Sequence, residues 1–85
     1  MNLKAFQFIH CSLQEVDFTE ADLSGAVFHE CNLLGAMFEQ TNLEKADFRE
    51  AIHFQIDPEI NKVKGARFDL EGLPGLLGKW GIRVQ

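Results

Sequence analysis

Three histidines and two cysteines are the nitrogen and sulfur ligands that this 85-residue chain could offer a metal ion. A closed zinc site needs four converging ligands. The five-residue pattern described below points His29 outward and Cys31 inward, and it places His10 at a corner and His53 near one end. Because three converging ligands cannot be assembled from these positions, we predict surface histidines, no metal site and no cofactor.

Cys11 and Cys31 are twenty residues apart. If residues twenty apart stack, the two Cα atoms lie within reach of a disulfide. The alternative, which we favour, is a pair of reduced cysteines that fill the core as small apolar side chains. A metal or redox binder built on these two cysteines is the least favoured function.

Hydroxyl nucleophiles are scattered along the chain. Ser12 and Ser24 face outward without a histidine in register, and the glycines lack the spacing of a phosphate-binding loop. Carboxylates are plentiful, but nothing predicts a cleft that would raise the pKa of one of them. We therefore predict that the protein is not an enzyme.

Composition excludes further classes. The net charge of −5 argues against direct nucleic-acid binding, which needs clustered basic residues. The chain has no apolar run long enough to span a membrane and no signal-peptide pattern, so we predict a single cytoplasmic domain.

Every fifth residue from the third onward is Leu or Phe, and the two alternate over ten repeats. These central residues are Leu3, Phe8, Leu13, Phe18, Leu23, Phe28, Leu33, Phe38, Leu43 and Phe48. The residue two places before each centre is usually small or apolar, and the residue between is usually Asp or Asn.

Neither a helix nor a straight strand buries this pattern on one side. Centres five residues apart would step about 140° around a helix, and an odd spacing alternates the faces of a strand. Three extended residues followed by a corner would turn each centre inward, and four corners would close a coil of twenty residues. Successive coils would then pair as parallel strands, with Phe8, Phe28 and Phe48 in one column and Phe18 and Phe38 in another. Gly25 and Gly35 fall at corners, where a positive φ is useful.

Units such as Ala21-Asp22-Leu23-Ser24-Gly25 resemble the A(D/N)LXX unit of pentapeptide repeat proteins. The resemblance implies an all-β fold, a right-handed quadrilateral parallel β-helix, with a short C-terminal capping helix. The quinolone-resistance members of that family are acidic dimeric rods that mimic DNA and bind DNA gyrase.

The repeat weakens after Phe48. We predict the β-helix over residues 1–53, a loop or irregular hairpin over residues 54–64 around Pro58, and a last unit with a helical cap and a short strand over residues 65–85. The strand is expected at Ile82 and Val84. The first residue is already in register, so either this is part of a longer rod or the open first coil packs against another chain.

Two surfaces are candidate partner sites. Asp17, Glu20 and Glu39 should share one face without a base, and Glu30 and Glu50 should stack at another corner. Such an acidic surface either binds a basic groove or only keeps the rod soluble.

The second candidate surface lies at the C-terminal cap. Its apolar residues, which could form a homodimer interface or only seal the coil, are Leu73, Leu76, Leu77 and Trp80. From both surfaces we predict a non-catalytic scaffold or protein-interaction module. The alternative is an acidic DNA mimic that binds a DNA-binding enzyme such as gyrase.

Overall fold

A computed structural model describes residues 1–84, and its backbone is a stack of coils paired in parallel. Strand β1 (Gln7–Ile9) pairs with β2 (Val27–His29), and Phe8 lies opposite Phe28. Single parallel bridges continue the same twenty-residue register: Asn2 with Asp22, Ser12 with Asn32, Asp17 with Met37, Asp22 with Asn42, Val27 with Asp47, Asn32 with Ile52, Asn42 with Lys62, and Asp47 with Arg67. One coil therefore takes twenty residues, as the sequence pattern predicts.

The corners are formed two residues after each centre. Gly25 and Gly35 lie there with φ of 70° and 75°, as expected. Residues with side chains adopt the same left-handed conformation at the equivalent places, among them His10 with φ of 51° and Glu30 with φ of 53°. The next residue closes the turn, as where the Ala26 N–H donates to the Leu23 carbonyl at 3.0 Å.

An Asp or Asn that precedes a centre has a local role. Its side-chain oxygen accepts a hydrogen bond from the backbone N–H two residues on, which satisfies a donor that the ladder leaves free. Asp22 accepts from both the backbone and the hydroxyl of Ser24, at 3.0 and 2.7 Å. The Ser24 hydroxyl and N–H bonds lower the pKa of Asp22 below its ordinary value.

The interior is lined by columns of like side chains. In the first column the ring centroids of Phe8 and Phe28 are 4.9 Å apart, those of Phe28 and Phe48 4.7 Å, and those of Phe48 and Phe68 5.3 Å, all nearly parallel. Phe18 and Phe38 stack at 5.3 Å and meet the first column edge to face. Both arrangements are favourable for aromatic rings, so ring–ring interactions stabilise the core in addition to the burial of apolar area.

The repeat slips by one residue after the third coil begins. Counting by fives from Phe48 places His53 at the next centre, but His53 is exposed, as predicted for a surface histidine, and adopts a φ of 62°. Phe54 is buried instead, with its ring 5.5 Å from the rings of Phe48 and Phe68. An imidazole is costly to bury without partners, so the apolar neighbour fills the core.

The loop around Pro58 is shorter than the predicted 54–64 segment. Lys62 already pairs with Asn42, and the Leu43 N–H donates to the Lys62 carbonyl at 2.8 Å. Just before Lys62, where the backbone ladder is interrupted, the buried side chain of Asn61 supplies the missing hydrogen bonds. Asn61 accepts from the Thr41 N–H at 2.9 Å and donates to the Phe38 and Asp57 carbonyls at 2.8 and 2.9 Å.

A small helical cap covers the last coil. Helix α1 (Pro74–Leu77) lies between two 3-10 turns, Leu70–Gly72 and Gly78–Trp80. The Ile56 N–H donates to the Gly75 carbonyl at 2.8 Å, which ties the cap to the coil. No helix within residues 1–84 is long and apolar enough to cross a membrane.

The strand predicted at Ile82 and Val84 was wrong. Residues 82–84 have no regular secondary structure, and both side chains are about half exposed. A strand needs a paired neighbour, and Gly81 turns the chain with a φ of 66°. Gln85, the last residue of the predicted C-terminal segment, lies outside the described residues.

Candidate functional site

One side of the coil stack is acidic, and the structure places Asp17, Glu20 and Glu39 there. The Glu20 N–H donates to the Glu39 carbonyl at 2.9 Å, and Asp17 is exposed beside them. None of these three carboxylates forms an ion pair with any residue between 1 and 84. Hydrogen bonds from the Thr19 side chain and backbone lower the pKa of Asp17. We call these three residues the acidic face.

The same side continues toward the cap with two acids that sequence analysis did not single out. Asp57 and Glu59 lie in the segment 54–64, which was predicted to be a loop or irregular hairpin. Lys79 of the cap binds both, with its Nζ 3.2 Å from Asp57 Oδ2 and 2.7 Å from Glu59 Oε1. Hydrogen bonds and attraction from these carboxylates raise the pKa of Lys79. The position of Asp57, forty residues after Asp17, was the signal in the sequence, and the interruption of the repeat around Pro58 hid it.

Apolar side chains lie among these charges. Met37 pairs with Asp17 through the backbone and is 46% exposed, and Ile60 is equally exposed. Both line an open groove of about 340 Å³ that also includes Asp57 and Lys79. The acidic side is therefore not a uniform array of carboxylates, because it has an apolar centre.

Glu30 and Glu50 lie at a different corner, as expected, but each is paired with a histidine. His10 Nδ1 is 2.6 Å from Glu30 Oε2, and His29 Nδ1 is 3.0 Å from Glu50 Oε1. Candidate ligand atoms of His10, His29 and Glu30 all lie within 4.8 Å of one another. The expectation that three ligands cannot converge was wrong, because the outward-pointing His29 reaches the corner next to it.

The cysteines are both free thiols. Cys31 is fully buried, and its Sγ donates to the Phe8 and His29 carbonyls at 3.3 and 3.4 Å. Burial raises the pKa of the Cys31 thiol. Cys11 donates to the Ile9 carbonyl at 3.3 Å and packs against the core. Both therefore act as core side chains.

The predicted cap surface divides into an inner and an outer part. Leu73, Leu76 and Leu77 are partly buried, and Leu76 packs against the core. Trp80 is 48% exposed, with Lys79 Nζ 5.7 Å from its ring centre, and Leu70 is 82% exposed. Leu76 therefore helps to seal the end of the coil, whereas the indole of Trp80 remains exposed at the surface.

Solved structures that match this chain include two pentapeptide repeat proteins and a fluoroquinolone resistance protein. A trypsin-treated form of QnrB1, a plasmid-mediated fluoroquinolone resistance protein, is 22% identical with a TM-score of 0.48, over 99% of this chain and 42% of that one. Rfr23 from the cyanobacterium Cyanothece 51142 is 23% identical with a TM-score of 0.43, over 81% and 50%. HetL from Nostoc sp. strain PCC 7120, described as involved in heterocyst differentiation regulation, is 19% identical with a TM-score of 0.35, over 84% and 37%.

This chain spans half or less of the length of each of those proteins. No curated protein matches it. The sequence profile of pentapeptide repeats, however, matches residues 7–52 in eight copies, which is more than half of the chain. That match agrees with the twenty-residue register and the stacked Phe columns, and the chain therefore belongs to the pentapeptide repeat family.

Proposed function

We propose that this chain is a non-catalytic protein-interaction module, built as a right-handed quadrilateral β-helix, whose acidic face binds a basic protein surface. One observation carries the proposal: Asp17, Glu20 and Glu39 are exposed around Met37 and form no ion pairs within residues 1–84. The two free thiols suit a reducing compartment, which supports a cytoplasmic location.

The chemistry of this face suits a protein partner. Exposed carboxylates accelerate encounter with a basic surface and select against acidic ones. Met37 adds a flexible apolar side chain of the kind enriched at the centres of interfaces. Pairing between coils already holds the backbone that carries these groups, so little backbone entropy is lost on binding.

Charge-matched variants test the role of this face. The first carries Asp17→Asn, Glu20→Gln and Glu39→Gln, and the control carries Glu15→Gln, Glu44→Gln and Glu71→Gln, which removes the same charge elsewhere. Proteins cross-linked to the wild-type chain in cells should be lost with the first variant and kept with the control. If the first variant keeps every partner, the acidic face is not the binding surface.

A second candidate function is the DNA mimic that acts on a DNA-binding enzyme such as gyrase. Acids at Asp17, Glu39 and Asp57 lie on three successive coils, which are about 4.8 Å apart, and Met37 is the residue that pairs with Asp17 on the middle coil. If this function holds, purified protein should alter DNA supercoiling by gyrase, and the acidic-face variant should not. No effect at high protein concentration would eliminate gyrase as the target.

Met37→Glu separates the two candidates. The substitution adds a carboxylate to the stack and removes the apolar centre. A DNA mimic should bind its target as well or better, since basic grooves respond to charge, whereas a protein partner that packs on Met37 should bind more weakly. Binding of the identified target by both chains, measured in parallel at two salt concentrations, gives the answer.

A homodimer is a further proposal, through the cap or through the open first coil. Trp80 is the exposed aromatic residue of the cap, and Phe6, 50% exposed, is that of the first coil. Sedimentation of the wild-type chain, Trp80→Ala and Phe6→Ala should show which substitution shifts the profile toward monomer. An unchanged profile for Trp80→Ala removes the cap from the dimer interface.

A further inference from the structure

We propose that His10, His29 and Glu30 form a binding site for a divalent transition-metal ion, Zn²⁺ in the first place. The site lies on the first two coils, at the corner that follows strands β1 and β2. It is separate from the acidic face and does not depend on the proposed function.

The twenty-residue register creates this cluster. His10 and Glu30 occupy equivalent corner positions on successive coils, and both have left-handed backbones that turn their side chains outward. The His10 N–H donates to the His29 carbonyl at 2.9 Å, which fixes His29 beside them. The imidazole of His29 meets that of His10 edge to face, with ring centroids 5.7 Å apart.

The distances suit an ion after small side-chain movements. Ligand atoms of the three residues lie within 4.8 Å of one another, and His10 Nδ1 to Glu30 Oε2 is 2.6 Å. In a tetrahedral zinc site with bonds of about 2.1 Å, ligand atoms are about 3.4 Å apart. All three side chains are at least 39% exposed, so rotating them leaves the packed interior in place.

The ligand types favour zinc and its neighbours over calcium or magnesium. Two imidazoles with one carboxylate suit Zn²⁺, Ni²⁺ or Cu²⁺, whereas the harder cations prefer oxygen ligands alone. Glu50 provides a supporting contact, because its Oε1 lies 3.0 Å from His29 Nδ1. A carboxylate that holds the Nδ1 proton leaves Nε2 of the same ring free for the ion. Water would complete the coordination.

Binding at this corner would join two coils. Ligands twenty residues apart come together only in the folded chain, so the ion should stabilise folding in proportion to its affinity. The ion should stabilise the first coil most, because Phe8 and Leu3 of that coil are only partly buried.

Calorimetric titration of the tag-free chain with ZnCl₂ tests the site. We expect one Zn²⁺ per chain, with affinity at least tenfold weaker in His10→Asn, His29→Asn and Glu30→Gln. His53→Asn and Cys11→Ser are the controls, because they remove another histidine and the more accessible thiol but should leave affinity unchanged. Zinc should also raise the melting temperature of the wild-type chain and of both controls, and have little effect on the three site variants.

A measurement on the wild-type chain guards against variants that fold poorly. Zn²⁺ should shift the imidazole NMR resonances of His10 and His29 and leave those of His53 in place. The proposal is overturned if no zinc binds at millimolar concentration, if the His53 resonances move instead, or if Cys11→Ser abolishes binding.

Discussion

The first and the third coil follow the same five-residue pattern, yet they are buried to different degrees. Phe48 of the third coil is 1% exposed and lies between the rings of Phe28 and Phe68. Within residues 1–84, Phe8 of the first coil stacks on one ring of its column, that of Phe28, and it is only partly buried. The pattern thus sets the direction of each side chain, whereas the coils on either side determine how much of its surface leaves water.

Truncation of one ring in each coil gives the largest expected difference. Phe48→Ala should lower the free energy of unfolding by about 3–5 kcal/mol, because it removes a fully buried ring and leaves a cavity. Phe8→Ala should cost roughly half as much, since its ring still contacts water. Chemical denaturation of both variants measures this, and equal losses would mean that the open coil is as well covered as the third.

Removal of the buried amide of Asn61 should have the second-largest effect on stability. Asn61→Ala leaves the Thr41 N–H and the Phe38 carbonyl without partners in the interior, at a cost of about 1–3 kcal/mol. Asn2→Ala is the matched change on the first coil, where the amide oxygen serves only the exposed Lys4 N–H at 3.1 Å, and it should cost less than about 1 kcal/mol. Denaturation midpoints that fall equally would show that the loop around Pro58 finds another way to satisfy its ladder.

Adding one methyl group to a glycine of the cap should displace the cap from the coil. A Cβ on Gly75 would lie 2.4 Å from the Phe54 carbonyl oxygen, so Gly75→Ala should push α1 off the coil and cost about 1–3 kcal/mol. A Cβ on Gly78 meets the end of the mobile Gln55 side chain at 2.5 Å, so Gly78→Ala should be nearly neutral. Hydrogen exchange of the Ile56 N–H, which binds the Gly75 carbonyl, should speed up only in Gly75→Ala. If that rate is unchanged, the cap does not rest on this contact.

Acid sensitivity is the smallest expected effect. Hydrogen bonds with Thr19 lower the pKa of Asp17, and those with Ser24 lower that of Asp22. A folded-state pKa below the unfolded value stabilises the fold above the unfolded pKa, and this contribution disappears as the pH falls through the folded pKa. Stability should therefore decline as the pH is lowered below about 4.

Asparagine keeps the local turn and removes the charge. Asp17→Asn with Asp22→Asn should flatten the acid decline for the first two coils. In the later coils, Asp47 and Asp57 also have a lowered pKa, and each has an ion pair as well, with Arg49 and Lys79. Asp47→Asn with Asp57→Asn should therefore flatten the decline and also cost a little stability at pH 7. Identical pH profiles for all three chains would contradict this account.

Much of the coil could be predicted because its pattern is local and repeated. The twenty-residue register and the Phe columns follow from the odd spacing of Leu and Phe. The burial of Phe54 in place of His53 could not be predicted, and neither could the hydrogen bonds of the Asn61 amide. Both depend on how the chain folds around one interruption of the repeat. The meeting of His10 with Glu30 was within reach of the sequence, because it needs only a comparison of corners twenty residues apart.

The pairing of each coil with the next also limits how such a gene can change length. An insertion of five residues after Gly25 would turn every later side chain by one face relative to the first coil, so Phe columns would continue onto Leu columns at that junction. An insertion of twenty residues would add one full turn and leave each later contact intact. Growth or shortening of this chain is therefore expected in whole turns, which correspond to sixty nucleotides of coding sequence.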